Sequence, residues 1–167
     1  QLGLWLESER MLHPVINQVG VDTQNEVVKE EKRLRVDNSP YGKFLENVKK
    51  NLFVNHPYKH TTIGEMEHLD AASLEEFLAF NKKYYVPNNA VLVVAGDIDI
   101  PATKEMINDY FSSIPRGADV ERVAIEESPI VEPIKAVAYD ANIQIPAVVT
   151  GYRMPSVKTR DSKVLDM

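Results

Sequence analysis

The sequence predicts an α+β domain in which several helices cover one face of a mainly antiparallel sheet. Three observations support this fold class. Apolar side chains recur at helical spacing through most of residues 1–114. A continuous apolar run, AVLVVA at 90–95, has the β-branched content of a buried strand. Two further apolar segments, 135–139 and 143–152, are also predicted as strands, and Pro146 places the second at a sheet edge or a bulge.

The composition limits the classes of function. The chain has 167 residues, a net charge of −6 and no cysteine. An acidic chain without a basic block is not expected to bind nucleic acid. The absence of cysteine excludes disulfides and thiolate metal sites. No apolar run approaches the roughly 20 residues that a membrane-spanning helix needs, so we expect no membrane span.

The chain is predicted to have three regions. Residues 1–114 form a helical part that also holds the first strand. Residues 115–133 form an acidic connection that contains proline, and residues 134–167 supply the later strands and the start of a helix. The sequence begins as if inside one helix and ends at the beginning of another. We therefore expect a fragment of a longer protein, truncated at both ends.

The helical part contains recognisable start and stop signals. A first helix is predicted from Leu2 to Ile16, with a stop near Gly20, and a second from Thr23 to Val36. Asp22 or Thr23 is predicted to cap this second helix, and Thr23 with Glu26 has the spacing of a capping box. Ser73 with Glu76 predicts a second capping box. The remaining helices are predicted at 41–53, as a single turn near 65–69, and from Pro101 to Phe111.

The second helix carries an unusual carboxylate, Glu31. Val27, Val28 and Leu34 lie three or four residues away from it, so the helical period places all four side chains on one apolar face. A carboxylate that faces a core needs a cation, because burying it alone is costly. Arg35 is one such cation and would form an ordinary i, i+4 ion pair. The spacing alone leaves open whether Arg35 or another cation is the partner.

The histidines form only a weak metal-binding pattern. His56 and His60 have the spacing of two ligands on a helical turn, but a proline lies between them and no glutamate accompanies them. We interpret this segment as a loop whose histidines form local hydrogen bonds. We likewise interpret His68, with Glu65 and Glu67, as solvated. No nucleotide-binding glycine loop, nucleophile elbow or catalytic cysteine is present.

Several phrases, taken in order, resemble the insulinase/pitrilysin-like zinc metallopeptidases, or inverzincins. They are ESERM at 7–11, EVVKEEKRLRVDNSPYG at 26–42, HPYKHTTIG at 56–64, YYVPNNAVLVVAGDID at 84–99 and PAVVTGYRMP at 146–155. The resemblance extends from Leu4 to Gly151 and is nearest to the bacterial members. The mitochondrial processing peptidases are similar in architecture.

The resemblance implies a zinc site to which this chain contributes Glu31. In the family, two histidines of an H-x-x-E-H motif and a downstream glutamate bind zinc, and the motif's own glutamate activates a water. The downstream ligand lies in a V-x-x-E phrase, here 28–31, which makes Glu31 the third ligand. Glu30 lies about 100° away, toward the polar side of the helix. Gln24 replaces a supporting glutamate one heptad earlier, and Gln24 and Arg35 are expected to support the ligand helix.

The H-x-x-E-H motif is absent from this chain. With one expected ligand and no general base, the fragment is predicted to be inactive alone and to bind no zinc, while Zn²⁺ belongs to the intact parent. The resemblance implies part of a zinc endopeptidase that hydrolyses peptides or unfolded polypeptides, together with a second homologous domain or subunit. The alternative is a non-catalytic family domain that acts as a structural or substrate-binding partner. A periplasmic or envelope location is expected by analogy, and a cytoplasmic one stays open.

Overall fold

The computed structural model describes residues 1–165, and the regular structure in that range is helical. The α-helices are α1 (Leu2–Leu12), α2 (Gln18–Lys32), α3 (Phe44–Leu52), α4 (Met66–Ala71), α5 (Leu74–Tyr84), α6 (Ile100–Phe111) and α7 (Arg160–Leu165). A π-helical turn, Arg33–Asp37, continues α2, and 3₁₀ turns lie at Pro57–Lys59 and Pro87–Asn89. The predicted helix at the end of the chain corresponds to α7, and residues 166–167 lie outside the described range.

The predicted sheet is wrong, because no β-strand is present among residues 1–165. In the run 90–95, Val91 and Val93 are 90% and 78% exposed, and residues 91–95 make no backbone hydrogen bond. The segments 135–139 and 143–152 likewise form no ladder. A strand exists only through hydrogen bonds to a neighbouring strand, and β-propensity reports how well a residue fits such a surface. Apolar, β-branched sequence without a pairing partner therefore does not form a sheet here.

Most predicted helices are confirmed, and local hydrogen bonds explain where they begin. At the start of α5, Ser73 Oγ accepts the N–H of Glu76 at 3.3 Å, and the Glu76 carboxylate accepts the N–H of Ser73 at 2.8 Å. This is the predicted capping box. At the start of α6, Asp99 Oδ1 accepts the N–H of Ala102 at 2.8 Å, and Pro101 occupies the first turn.

The predicted start of the second helix is wrong. Helix α2 begins at Gln18, so Thr23 lies inside the helix and does not cap it. The side chain of Asn17, six residues before Thr23, accepts the N–H of Gly20 at 2.8 Å and so satisfies one of the free N–H groups at the start of the helix. The hydroxyl of Thr23 instead donates to the carbonyl of Val19 at 2.7 Å. Gly20, predicted to stop a helix, is part of the first turn of this one.

The residues form two compact units. The first contains residues 1–25 and 70–123, and the second contains residues 26–69 together with the chain from Ala124 onward. The division into regions at 114 and 133 stays a prediction. In the first unit α1 contacts α6, where Leu4, Ser8 and Thr103 are buried. At the end of this contact the Gln1 side chain donates to the Tyr110 hydroxyl at 3.1 Å.

Candidate functional site

Glu31 lies near the end of α2 and is paired with Arg35. Its Oε1 is 2.8 Å from Nη1 of Arg35, one turn later, and its side chain is 40% exposed. The ion-pair alternative that the sequence left open is therefore present in the structure. Exposed i, i+4 pairs of this kind contribute only a few tenths of a kcal/mol, so the pair holds Glu31 weakly.

The apolar face expected around Glu31 is not formed. Val27 and Leu34 are exposed, and the buried side chain of this turn is Lys32, with only 4% of its surface exposed. Lys32 Nζ lies 3.5 Å from a carboxylate oxygen of Glu46 on α3. A contact between residues so far apart in sequence cannot be read from the period of one helix, and it places Lys32, not Glu31, in the interior.

The other residues expected near the zinc ligand lie on the surface. Glu30 pairs with Arg33 at 3.1 Å, consistent with its place on the polar side of α2, and Gln24 is exposed. Among residues 1–165, no group of three or more histidine, aspartate or glutamate side chains is arranged to hold a metal ion. Because a catalytic zinc normally takes three protein ligands, the described residues do not fit such an ion by themselves. The role of Glu31 as one ligand stays a prediction.

Glu46 is the centre of a cluster of charged side chains in the second unit. It lies between Lys32 and Lys50, and Lys50 also contacts Glu65 at 3.0 Å. Burial tends to raise the pKa of Glu46, but the hydrogen bonds and charges of Lys50 and Lys32 outweigh burial and hold this pKa below its ordinary value. The hydrogen bond to Glu46, and then the one to Glu65, raises the pKa of Lys50.

The two histidines of the loop at 56–60 lie in different environments. His56 Nδ1 accepts the N–H of Tyr58 at 3.1 Å, which confirms the predicted local hydrogen bond for this residue. His60 instead faces His68, with ring centroids 6.3 Å apart and ring planes inclined by 73°. Between them Gly64 has a φ of +79°, a left-handed conformation that favours glycine and turns the chain back.

His60 and His68 share a cavity of about 550 Å³ with charged side chains of the same unit. Its lysines are neutralised, since Lys32 and Lys50 contact Glu46 and Lys43 lies 3.5 Å from Asp37. The remaining residues of the lining are Glu65, Met66 and Glu67.

Glu127 lies in the segment predicted to be an exposed connection, yet only 11% of its side chain is exposed. Its carboxylate accepts the backbone N–H groups of Val54, Asn55 and His56 at 3.0, 2.9 and 2.6 Å. The hydrogen bond from His56, then those from Val54 and Asn55 and the charge of Arg153, lower the pKa of Glu127 from its ordinary value of 4.5. We call this arrangement the Glu127 clasp.

Arg153 reinforces the Glu127 clasp. Its guanidinium donates to the carbonyls of Leu52 and Ser128, lies 3.6 Å from the Glu127 carboxylate and packs 5.4 Å from the Phe53 ring centre. Glu127 and Arg153 thus join the end of α3 to two segments more than 70 residues away in sequence. Sequence reasoning missed both residues: Glu127 lies in no motif, and Arg153 lies in the phrase at 146–155 but its partners are far away in sequence.

A larger cavity, about 1060 Å³, lies along α3 in the same unit. It is lined by Phe44, Val48 and Leu52 of α3 and by residues 129–140 and 147–153. A Cβ on Gly151 would lie 2.7 Å from Val48, so a glycine is what allows this backbone to approach the helix. No helix in the described part of the chain is long and apolar enough to cross a membrane.

Residues 71–167 match the family model described as the Peptidase M16 inactive domain. Over 148 residues the chain is 31% identical to the zinc protease PqqE of Helicobacter pylori, covering 86% of this chain and 33% of that protein. The chain therefore spans about a third of the length of this relative.

Two solved structures are similar in fold. The crystal structure of a protease from Helicobacter pylori matches with a TM-score of 0.69 and 29% identity, covering 76% of this chain and 31% of that one. The periplasmic protease PqqL from Escherichia coli matches with a TM-score of 0.65 and 22% identity, covering 76% of this chain and 14% of that one.

Proposed function

The chain belongs to the peptidase M16 family, and we propose that it is a non-catalytic portion of a zinc-dependent endopeptidase that contributes Glu31 to the zinc site of the intact protein. The predicted relationship to the insulinase/pitrilysin-like zinc metallopeptidases is confirmed by the family match and by the identity to a zinc protease. The substrate class we propose, peptides or unfolded polypeptides, rests on that relationship.

The observation that carries the proposal is the accessibility of Glu31. Its side chain is 40% exposed, and its described partner is Arg35 in the π-helical turn that continues α2. Because such a pair is weak, a zinc ion can replace it at little cost. Glu31 also precedes residue 71, where the match to the inactive-domain model begins. The histidine ligands and the general base are then supplied by residues outside this chain.

The partner of this chain is part of the same proposal. A domain described as inactive acts together with an active domain or subunit, and we propose that the intact protein has one. We also propose a periplasmic or envelope location, which the description of PqqL as periplasmic supports.

Substitution of Glu31→Gln in the intact protein tests the role of this residue. We expect bound zinc and chelator-sensitive peptide cleavage to be lost together, because the amide carries no charge and is a poor zinc ligand. Zinc content is measured by mass spectrometry and cleavage with an unfolded casein substrate.

Glu30→Gln is the matched control. It removes the same charge from the adjacent residue, which pairs with Arg33, and should leave zinc content and cleavage unchanged. Retention of both by the Glu31→Gln variant would show that Glu31 is only the ion-pair partner of Arg35.

The alternative is a non-catalytic family domain that serves as a structural or substrate-binding partner of an active peptidase. The description of the matched family model as an inactive domain favours it, and so does the ion pair that occupies Glu31. Under this alternative, the intact protein lacks an H-x-x-E-H motif and binds no stoichiometric zinc, whichever residue stands at position 31.

A further inference from the structure

The cavity that holds His60 and His68 contains side chains that the proposed function does not use. The two rings lie 6.3 Å apart, and neither imidazole has an ion pair or a side-chain hydrogen bond among residues 1–165. Both residues are exposed. Neutral imidazole is a preferred protein ligand for late divalent transition metals.

The charge around the two rings suits a cation. The three lysines of the cavity are matched by the carboxylates of Glu46, Glu65 and Asp37. Glu67 is a further carboxylate in the lining and has no described ion pair. Apart from the two histidines, the lining of the cavity therefore carries four carboxylates against three ammonium groups.

The separation of the two rings is close to the one that a shared metal ion requires. With metal–nitrogen bonds of about 2.0–2.1 Å, two imidazoles on one tetrahedral ion have ring centres roughly 5 Å apart. The observed rings must therefore approach each other by about 1 Å, which exposed side chains achieve by small rotations of their χ angles. His60 follows a 3₁₀ turn and His68 belongs to α4, so the two ligands come from two separate elements.

We propose that His60 and His68 bind a late divalent transition-metal ion such as Ni²⁺ or Zn²⁺, with water completing the coordination sphere. Two protein ligands make a weaker site than the three of a catalytic zinc centre. Ca²⁺ and Mg²⁺ are not expected to bind to this pair, because they require oxygen donors.

Calorimetric titration of the chain with Ni²⁺ at pH 7.5 tests the proposal. We expect one equivalent to bind, and His60→Ala or His68→Ala to weaken binding about tenfold or more, because each removes one of two protein ligands. His13→Ala is the matched control, since His13 is exposed and pairs with Glu9 outside the cavity, and it should bind as the parent chain does. Glu31→Gln should also leave Ni²⁺ binding unchanged, which separates this site from the proposed zinc ligand.

A second measurement needs no substitution and therefore does not depend on the folding of a variant. Substoichiometric Ni²⁺ is paramagnetic and should broaden the ring proton resonances of His60 and His68 together, before those of His13 and His56. Because a metal competes with a proton for imidazole, the broadening should decrease as the solution is made more acidic. Equal broadening of all four histidines, or Ni²⁺ affinity that survives both alanine substitutions, would overturn the proposal.

Discussion

At the scale of single residues, the important side chains are those whose partners lie far away in sequence. Glu127 accepts three successive backbone N–H groups, and Lys32 is buried against Glu46. Helical periodicity identifies Glu31 and its neighbour Arg35, because they are one turn apart. It cannot identify Lys32 or Glu127, whose environment is created only when other segments pack beside them.

The Glu127 clasp leads to a prediction about pH. The pKa of Glu127 is lowered in the folded chain, so its carboxylate stabilises the fold above its ordinary pKa of 4.5. This contribution is lost as the pH falls through the lowered pKa. We therefore expect Glu127→Gln to reduce Tm at pH 7, with the difference from the parent chain shrinking below about pH 4.

The control for the Glu127 clasp is the neighbouring residue. Glu126→Gln removes an exposed carboxylate whose side chain has no described partner, so Tm at pH 7 should change little. Thermal unfolding followed by circular dichroism between pH 3 and 7 measures both variants. A Tm difference for Glu127→Gln that is constant over this range would contradict the assignment.

At the scale of elements, the helix signals are local and therefore predictable. The Ser73–Glu76 capping box was predicted correctly, because each hydrogen bond spans three residues. The Thr23–Glu26 box has the same spacing but is not formed, because Asn17 satisfies the helix end first. The spacing defines what is possible, and competition between neighbouring caps decides which one forms.

Ser73→Ala should destabilise the chain by about 1 kcal/mol, because it leaves the N–H of Glu76 without its acceptor. Ser73→Asn should restore most of this loss, since asparagine caps a helix about as well as serine. Chemical unfolding in urea measures both changes. Equal destabilisation by the two substitutions would indicate that Ser73 acts through packing and not through its cap.

At the scale of the whole molecule, the family was predictable from the order of several phrases, and the fold class was not. The match at 71–167 and the identity to a zinc protease confirm the family. The prediction of a sheet was wrong because a strand requires a hydrogen-bonding neighbour. Residues 1–165 provide none for the apolar runs at 90–95, 135–139 and 143–152. The pairing of His60 with His68 was missed for a related reason, since it depends on the turn at Gly64.

The exposed run AVLVVA at 90–95 has a consequence for the behaviour of the chain in solution. Six uncharged apolar residues without proline, three of them valines of high β-propensity, are typical of segments that assemble into cross-β fibrils. We expect the isolated chain to bind thioflavin T after a lag that shortens as protein concentration rises, and Val93→Lys to lengthen that lag. Val123→Lys is the control, because Val123 is 72% exposed but lies in an acidic segment. The time for which the purified chain stays in solution is then set by how fast residues 90–95 assemble between molecules, and not by the free energy of unfolding.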